Sequence, residues 1–167
     1  MTSWELTSTI VSIMTVAILA AAAIAAVIQI RHLRASNQLE GFLAISRELD
    51  SPELLRARAF VEFELSKKLA DTSYREELLS GRVDLMEHPE IRIGNFWERM
   101  GALIRHGVLD EPIFYDFFAR RCVGRWHDLL PVVELVRHND PLMWGDFQYI
   151  AIRCQEYLDR QQRGGSW

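Results

Sequence analysis

The sequence predicts an all-α protein, with one N-terminal transmembrane helix followed by a cytosolic bundle of about five helices. Three observations carry this prediction. The chain begins with a long uncharged stretch, apolar residues then recur at helical spacing between capping residues, and no run alternates with the period of two that is typical of strands. The 167 residues leave enough chain after the first helix for one small domain with a hydrophobic core.

The first element is the stretch of residues 6–30, which contains no charged residue and is bounded by Glu5 and Arg31. As a helix rising ~1.5 Å per residue it would be about 37 Å long, more than the ~30 Å hydrocarbon core of a bilayer. We therefore interpret it as a transmembrane helix. A cleaved signal peptide and a buried core helix are the alternatives, although the N-terminus lacks the basic residues that begin a signal peptide.

The charges beside this stretch predict its orientation. All Lys and Arg residues follow residue 30, and positively charged residues remain on the cytosolic side of a membrane. The predicted topology therefore places the N-terminus outside and the C-terminal domain in the cytosol. Trp4 would then lie at the outer membrane interface, and Arg31, His32 and Arg34 at the inner interface.

Small residues inside the stretch predict a contact between copies of the chain. Ala17, Ala21 and Ala25 are spaced by four, and small residues at this spacing allow helices to approach closely in lipid. This pattern indicates a homo-oligomer assembled through the span. An Ala-rich surface that faces lipid is the alternative explanation.

The remaining elements follow in order. Residues 31–50 continue the helical spacing as a juxtamembrane extension, residues 51–160 form the bundle, and residues 161–167 form a disordered tail. Ser, Asp and Pro residues indicate helix starts, and two glycines indicate helix ends. These signals predict helices from Pro52 to about Leu69, from Ser73 to Leu79, from near Pro89 to Gly107, from Asp110 through a kink or break at Pro131, and over about residues 141–160.

Several of these segments together resemble a known family. The segments are Ser51-Pro52-Glu53-Leu54, Asn95-Phe96-Trp97-Glu98-Arg99, Gly107-Val108-Leu109-Asp110-Glu111, the run from Tyr115 to Trp126, and Pro131. They are similar to a bacterial family of short single-span membrane proteins that carry a helical cytosolic domain of unknown function. The resemblance covers roughly residues 36–160 and implies the architecture and a location in the bacterial inner membrane. It implies no activity, because the shared positions are caps and apolar spacing.

Composition and motifs give little sign of chemistry. The net charge of −4 argues against nucleic acid as a partner. No phosphate loop, dinucleotide fingerprint or nucleophile elbow is present, and the five histidines form no zinc motif. We therefore predict no catalytic residue, no cofactor and no metal.

One basic cluster is a candidate anion site. Arg121 and Arg125 are four residues apart, on the side of a predicted helix that also carries Trp126. Two arginines beside an apolar stripe suit a phosphate, a nucleotide or a lipid headgroup. The structural alternative is ion pairing, since Arg120 has Asp116 one turn back.

These observations leave three hypotheses for function. The first is a membrane-tethered helical interaction or scaffold module, which holds an unknown protein partner near the lipid bilayer. The second is a homo-oligomeric membrane effector assembled through the span, and the third is a small-ligand sensor or enzyme that uses Arg121 and Arg125. The first hypothesis predicts an exposed apolar patch, with Phe60, Phe63, Trp144 and Tyr149 as its candidates.

Overall fold

A computed structural model describes residues 3–81 and 83–164, without the side chains of residues 3–13, 31 and 33–39. No residue in these ranges belongs to a strand, and most are helical, which confirms the all-α prediction. The helices are α1 (Ser3–Leu49), α2 (Pro52–Phe63), α3 (Leu65–Lys68), α4 (Thr72–Ser80), α5 (Pro89–Arg105), α6 (Glu111–Val136) and α7 (Gly145–Gly164).

The predicted transmembrane helix is wrong. Among the described residues, no helix combines the length and the apolar character needed to cross a membrane. The single-pass topology and the inner-membrane location that depended on this helix are therefore wrong as well.

The interface and self-association roles predicted for individual residues depended on the same transmembrane helix. His32, Ala17, Ala21 and Ala25 are exposed on α1, and the side chains of Trp4, Arg31 and Arg34 lie outside the described residues. Packing of the alanines inside lipid required a spanning helix, so the hypothesis of a membrane effector loses its basis.

The chain divides into two compact units, Met1–Gly41 and Phe42–Trp167. The second unit contains the bundle, and its helix starts follow the capping signals. The Ser51 hydroxyl accepts a hydrogen bond from the backbone N–H of Leu54 at 3.3 Å, and Asp110 accepts one from Ile113 at 3.0 Å. These side chains satisfy backbone donors that have no partner within the first turn.

The helix boundaries differ from the predicted ones in several places. The helix expected to reach Leu69 is interrupted at Glu64, whose φ of −120° is outside the helical range. Of the kink or break predicted at Pro131, the break is not formed, because α6 continues through this exposed residue while Leu129 and Val132 on either side of it pack in the core. α7 begins only at Gly145, because Trp144 has a φ of 56°, a left-handed conformation that does not continue a right-handed helix.

The core lies where α5 packs against α2 and α7, and where α6 packs against α7. Trp97 of α5 stacks on Phe147 of α7 with ring centroids 6.0 Å apart, and Trp126 of α6 meets the same ring edge-on at 5.0 Å. Gly94 of α5 permits close contact here, because a Cβ at this position would overlap the Trp144 indole. The exposed faces of α2 and α6 are then left to form surface sites.

Candidate functional site

The two predicted anion-site residues lie together at one cavity. Arg121 and Arg125 project from the same face of α6, and the structure adds Arg120 beside them and Arg58 from α2. These four arginines line a cavity of about 110 Å³. Its apolar wall is formed by residues of α1, α2 and α5: Leu49, Leu54, Ile93, Phe96 and Trp97. We call this site the arginine cavity.

Only one of the four arginines has an ion-pair partner among the described residues. Arg125 Nη1 lies 3.1 Å from the Asp128 carboxylate, and its Nη2 lies 3.6 Å from Glu62. Within the described ranges, Arg58, Arg120 and Arg121 form no ion pair. The alternative of structural pairing therefore applies to Arg125 and not to its neighbours.

The pairing expected between Arg120 and Asp116 is not formed. Asp116 instead accepts a hydrogen bond from the Tyr157 hydroxyl of α7. Arg120 is exposed at the edge of the arginine cavity. The carboxylate that was expected to neutralise it is thus used to hold α6 against α7.

Arg125 also has an unpartnered donor. Its side chain is 18% exposed, and Nη1 is buried without a hydrogen-bond acceptor in the described part of the chain. The 3.1 Å contact with Asp128 is an ion pair by distance but lacks hydrogen-bond geometry. A buried guanidinium donor without an acceptor is unfavourable by about 1–3 kcal/mol or more, because water has been removed from it without replacement.

A second cluster of charged groups was not predicted. His88, just before α5, is fully buried, and so is Glu90 in the first turn of α5. His88 Nδ1 lies 2.9 Å from Glu90 Oε1, and His88 Nε2 lies 2.9 Å from Glu77 Oε2 of α4. The Tyr74 hydroxyl donates to Glu90 Oε1 at 2.7 Å, and its ring packs on the imidazole at 4.3 Å. We call these four residues the His88 network.

The two hydrogen bonds of His88 require one proton more than a neutral imidazole and two ionised carboxylates carry. Both imidazole nitrogens face carboxylate oxygens, whereas a neutral imidazole carries only one N–H. Both contacts are therefore hydrogen bonds when His88 is an imidazolium or when one carboxyl group is protonated. Burial and the hydrogen bond to Glu90 raise the pKa of the Tyr74 hydroxyl, so Tyr74 remains a donor. The network joins α4 to the start of α5.

The sequence contained a weak signal for this network. His88 and Glu90 flank Pro89 at a helix start, which is a position that favours an acidic residue near the helix N-terminus. That signal explains Glu90 by itself. It gives no indication that Tyr74 and Glu77, which precede their partners by more than ten residues, belong to the same cluster.

A third feature is an open groove between α2 and the segment 85–92. Its volume is about 570 Å³, and Phe60, Leu85 and Met86 are among the residues that line it. Met86 is 80% exposed, and Phe63 on the same helix as Phe60 is 67% exposed. We call this feature the apolar groove.

Of the four candidates for an exposed apolar patch, Phe60 lines this groove, whereas Phe63, Trp144 and Tyr149 do not. Trp144 is buried and donates a hydrogen bond from Nε1 to Asn95 at 3.0 Å. Tyr149 is half-buried, with the Arg105 guanidinium over its ring. Of the four residues predicted for a patch, Phe60 and Phe63 are therefore the ones near an open surface.

The described ranges contain no arranged metal site, and both of their cysteines are buried. No group of three or more His, Cys, Asp or Glu residues described there is positioned to hold a metal ion. Cys122 and Cys154 are free and fully buried. Burial and the neighbouring Cys154 sulfur raise the pKa of Cys122 well above its ordinary value, which keeps this thiol protonated and unreactive.

The second unit is thus an all-helical domain with a charged cavity and an apolar groove on its surface. The chain belongs to the family defined by the domain of unknown function DUF4760, which matches residues 16–154. This confirms membership of a family of unknown function. The match bears on neither the bacterial source nor the membrane location that the resemblance implied. No curated protein and no solved structure matches the chain.

Proposed function

We propose that the helical domain is an interaction module that docks an amphipathic helix of a partner protein in the apolar groove. The observation that carries the proposal is the exposure of large apolar side chains along one open surface. Leu85 is 45% exposed and Met86 is 80% exposed, beside Phe60 on the facing helix. Contiguous apolar surface with a polar rim marks interaction sites, and methionine adapts its shape to different partners.

The dimensions of the groove favour anchor side chains from a helix. Its volume of about 570 Å³ is within the ~300–1,000 Å³ of sites that enclose a ligand. An amphipathic helix presents apolar residues at positions i, i+3, i+4 and i+7, which insert into such a groove while its polar face remains in water. Ala57 and Ala59 contribute small side chains to the lining, which leaves depth for these anchors.

Charges at the rim specify the polar edges of the partner helix. Arg92 lines the groove and forms no ion pair within the described part of the chain. Glu64 is exposed at another part of the rim. A partner helix with a carboxylate that meets Arg92 and a basic residue that meets Glu64 would complement both charges, and this arrangement would fix its direction in the groove.

Photo-crosslinking in the source cells tests this proposal. A photoreactive amino acid at Met86 should give one defined product, and the same amino acid at the exposed Gln155 of α7 should not. A peptide of the crosslinked partner segment should then bind the purified chain, measured by fluorescence anisotropy. Ala59→Trp fills the groove from an exposed position and should weaken peptide binding at least about tenfold. Equal products at the two positions, or unchanged binding by Ala59→Trp, would overturn the proposal.

A further inference from the structure

We propose that the arginine cavity binds a phosphate group, either inorganic phosphate or the phosphate of a small phosphate monoester. The inference does not rest on the function proposed for the apolar groove, because the two sites share no lining residue. It rests on the charge, the unpartnered donor and the size of the cavity.

The charge of the cavity matches a dianion. Four arginines line it, and the two carboxylates beside them, Glu62 and Asp128, both pair with Arg125. Two positive charges therefore remain without a counter-charge in the described residues. A phosphate monoester carries about −1.5 to −2 at pH 7, whereas a carboxylate carries −1 at most. The excess charge therefore favours phosphate over a carboxylic acid.

The donors of the cavity also match phosphate. Arg125 has a buried Nη1 without a hydrogen-bond acceptor, and the Arg58 and Arg121 guanidinium groups form no ion pair in the described ranges. Phosphate supplies three strong acceptor oxygens, and guanidinium groups bind such oxygens in pairs of parallel hydrogen bonds. A phosphate oxygen at Arg125 would satisfy its buried donor while the other oxygens reach Arg58 and Arg121.

The size of the cavity limits which part of a ligand enters. Its volume of about 110 Å³ corresponds to roughly three or four water molecules at ~30 Å³ each, well below the ~300 Å³ at which sites begin to enclose a whole small molecule. The cavity therefore accommodates the phosphate group alone. The remainder of an ester would lie outside the cavity, beside the exposed Arg120 and Arg121.

Gly124 provides a variant that can close the cavity without disturbing the protein. It lines the cavity, and a Cβ added there would meet no atom within 4 Å. A glycine in the middle of a helix lowers the stability of the helix by roughly 0.5–1 kcal/mol relative to alanine. Gly124→Leu should therefore fill the space while α6 remains folded.

Isothermal titration calorimetry of the full chain at constant ionic strength tests the proposal. The ligands are inorganic phosphate, glycerol phosphate, acetate and chloride. Phosphate should bind with a Kd below about 1 mM. Arg58→Gln and Arg121→Gln should each weaken binding at least about tenfold, because each removes charge-assisted hydrogen bonds. Gly124→Leu should abolish binding, and circular dichroism melting should show that its fold is retained.

Arg160→Gln is the matched control, because Arg160 is an exposed arginine of α7 that does not line the cavity. It should bind phosphate as the parent chain does. Tighter binding of glycerol phosphate than of inorganic phosphate would identify a phosphate ester as the ligand, and equal or weaker binding would identify free phosphate. Equal binding of acetate or chloride would overturn the proposal. So would unchanged binding by folded Gly124→Leu, or equal weakening by Arg160→Gln and Arg121→Gln.

Discussion

The arginine cavity and the His88 network both concentrate charged side chains in one small region, but they differ in whether those side chains have partners within the chain. In the His88 network, both imidazole nitrogens have carboxylate partners at 2.9 Å, and His88 and Glu90 are fully buried. In the arginine cavity, three of the four arginines have no ion pair in the described ranges, and two of these are exposed.

This difference separates a role in folding from a role in binding. Buried charges are tolerated only when other groups of the protein replace the water they have lost. In the His88 network the imidazole and the Tyr74 hydroxyl find partners within the chain and join α4 to α5, and Glu90 Oε2 is the one buried side-chain oxygen of the network without a hydrogen-bond partner in the described residues. The arginine cavity retains donors and positive charge at a surface opening, and for this reason we propose that a ligand from solution completes it.

The largest expected effect is that of Glu90→Ala. This change leaves the imidazole of His88 and the hydroxyl of Tyr74 buried without the oxygen they share. Removing one member of a buried charged pair costs about 3–5 kcal/mol. Urea denaturation followed by circular dichroism should show this loss, while Glu77→Ala, whose side chain is 48% exposed, should cost less. A loss below about 1 kcal/mol for Glu90→Ala would contradict a structural role for the network.

The next effect concerns alkaline pH. Burial and the hydrogen bond to Glu90 raise the pKa of Tyr74, and burial raises the pKa of Tyr115 to about 12. Above pH ~10 the unfolded tyrosines lose protons that the folded ones keep, so the free energy of unfolding should fall as pH rises. For Tyr115 this amounts to about 2–3 kcal/mol by pH 12. Denaturation at several pH values should show a shallower decline for Tyr115→Phe and for Tyr74→Phe.

An unchanged slope in Tyr115→Phe would contradict the assignment of the alkaline loss to that residue. Tyr74→Phe should also lower stability at neutral pH by about 1–2 kcal/mol, because Glu90 then loses a buried hydrogen bond. No similar neutral-pH loss is expected from exposed residues of the arginine cavity.

A smaller effect of opposite sign is expected at Gly124. Gly124→Ala adds a methyl group that meets no protein atom within 4 Å, and alanine is more stable than glycine inside a helix by roughly 0.5–1 kcal/mol. The variant should therefore raise the melting temperature by a few degrees. A decrease would show that the backbone at Gly124 requires glycine. Gly94→Ala is the contrasting variant and should destabilise, because its Cβ would overlap Trp144.

Local features could be predicted from the sequence, and features that join distant segments could not. The caps at Ser51 and Asp110 depend on backbone groups within one turn, so residue type and spacing were enough. Arg121 and Arg125 lie on one face because residues four apart do so in any helix. Arg58 and the His88 network depend on how α2 and α4 pack against the rest of the bundle. The membrane prediction rested on the length and lack of charge of residues 6–30, whereas no helix of the described residues combines the length and the apolar character needed to cross a membrane.

The smallest expected effect is that of Arg121→Gln on stability. Arg121 is exposed and forms no ion pair within the described ranges, and surface substitutions of this kind change stability by less than about 0.5 kcal/mol. Urea denaturation without added phosphate should therefore give matching curves for the variant and the parent chain. With phosphate present, the parent should become more stable than the variant, because a ligand that binds only the folded state shifts the unfolding equilibrium. A large loss without phosphate would instead assign Arg121 to the structure of the bundle, as in the His88 network.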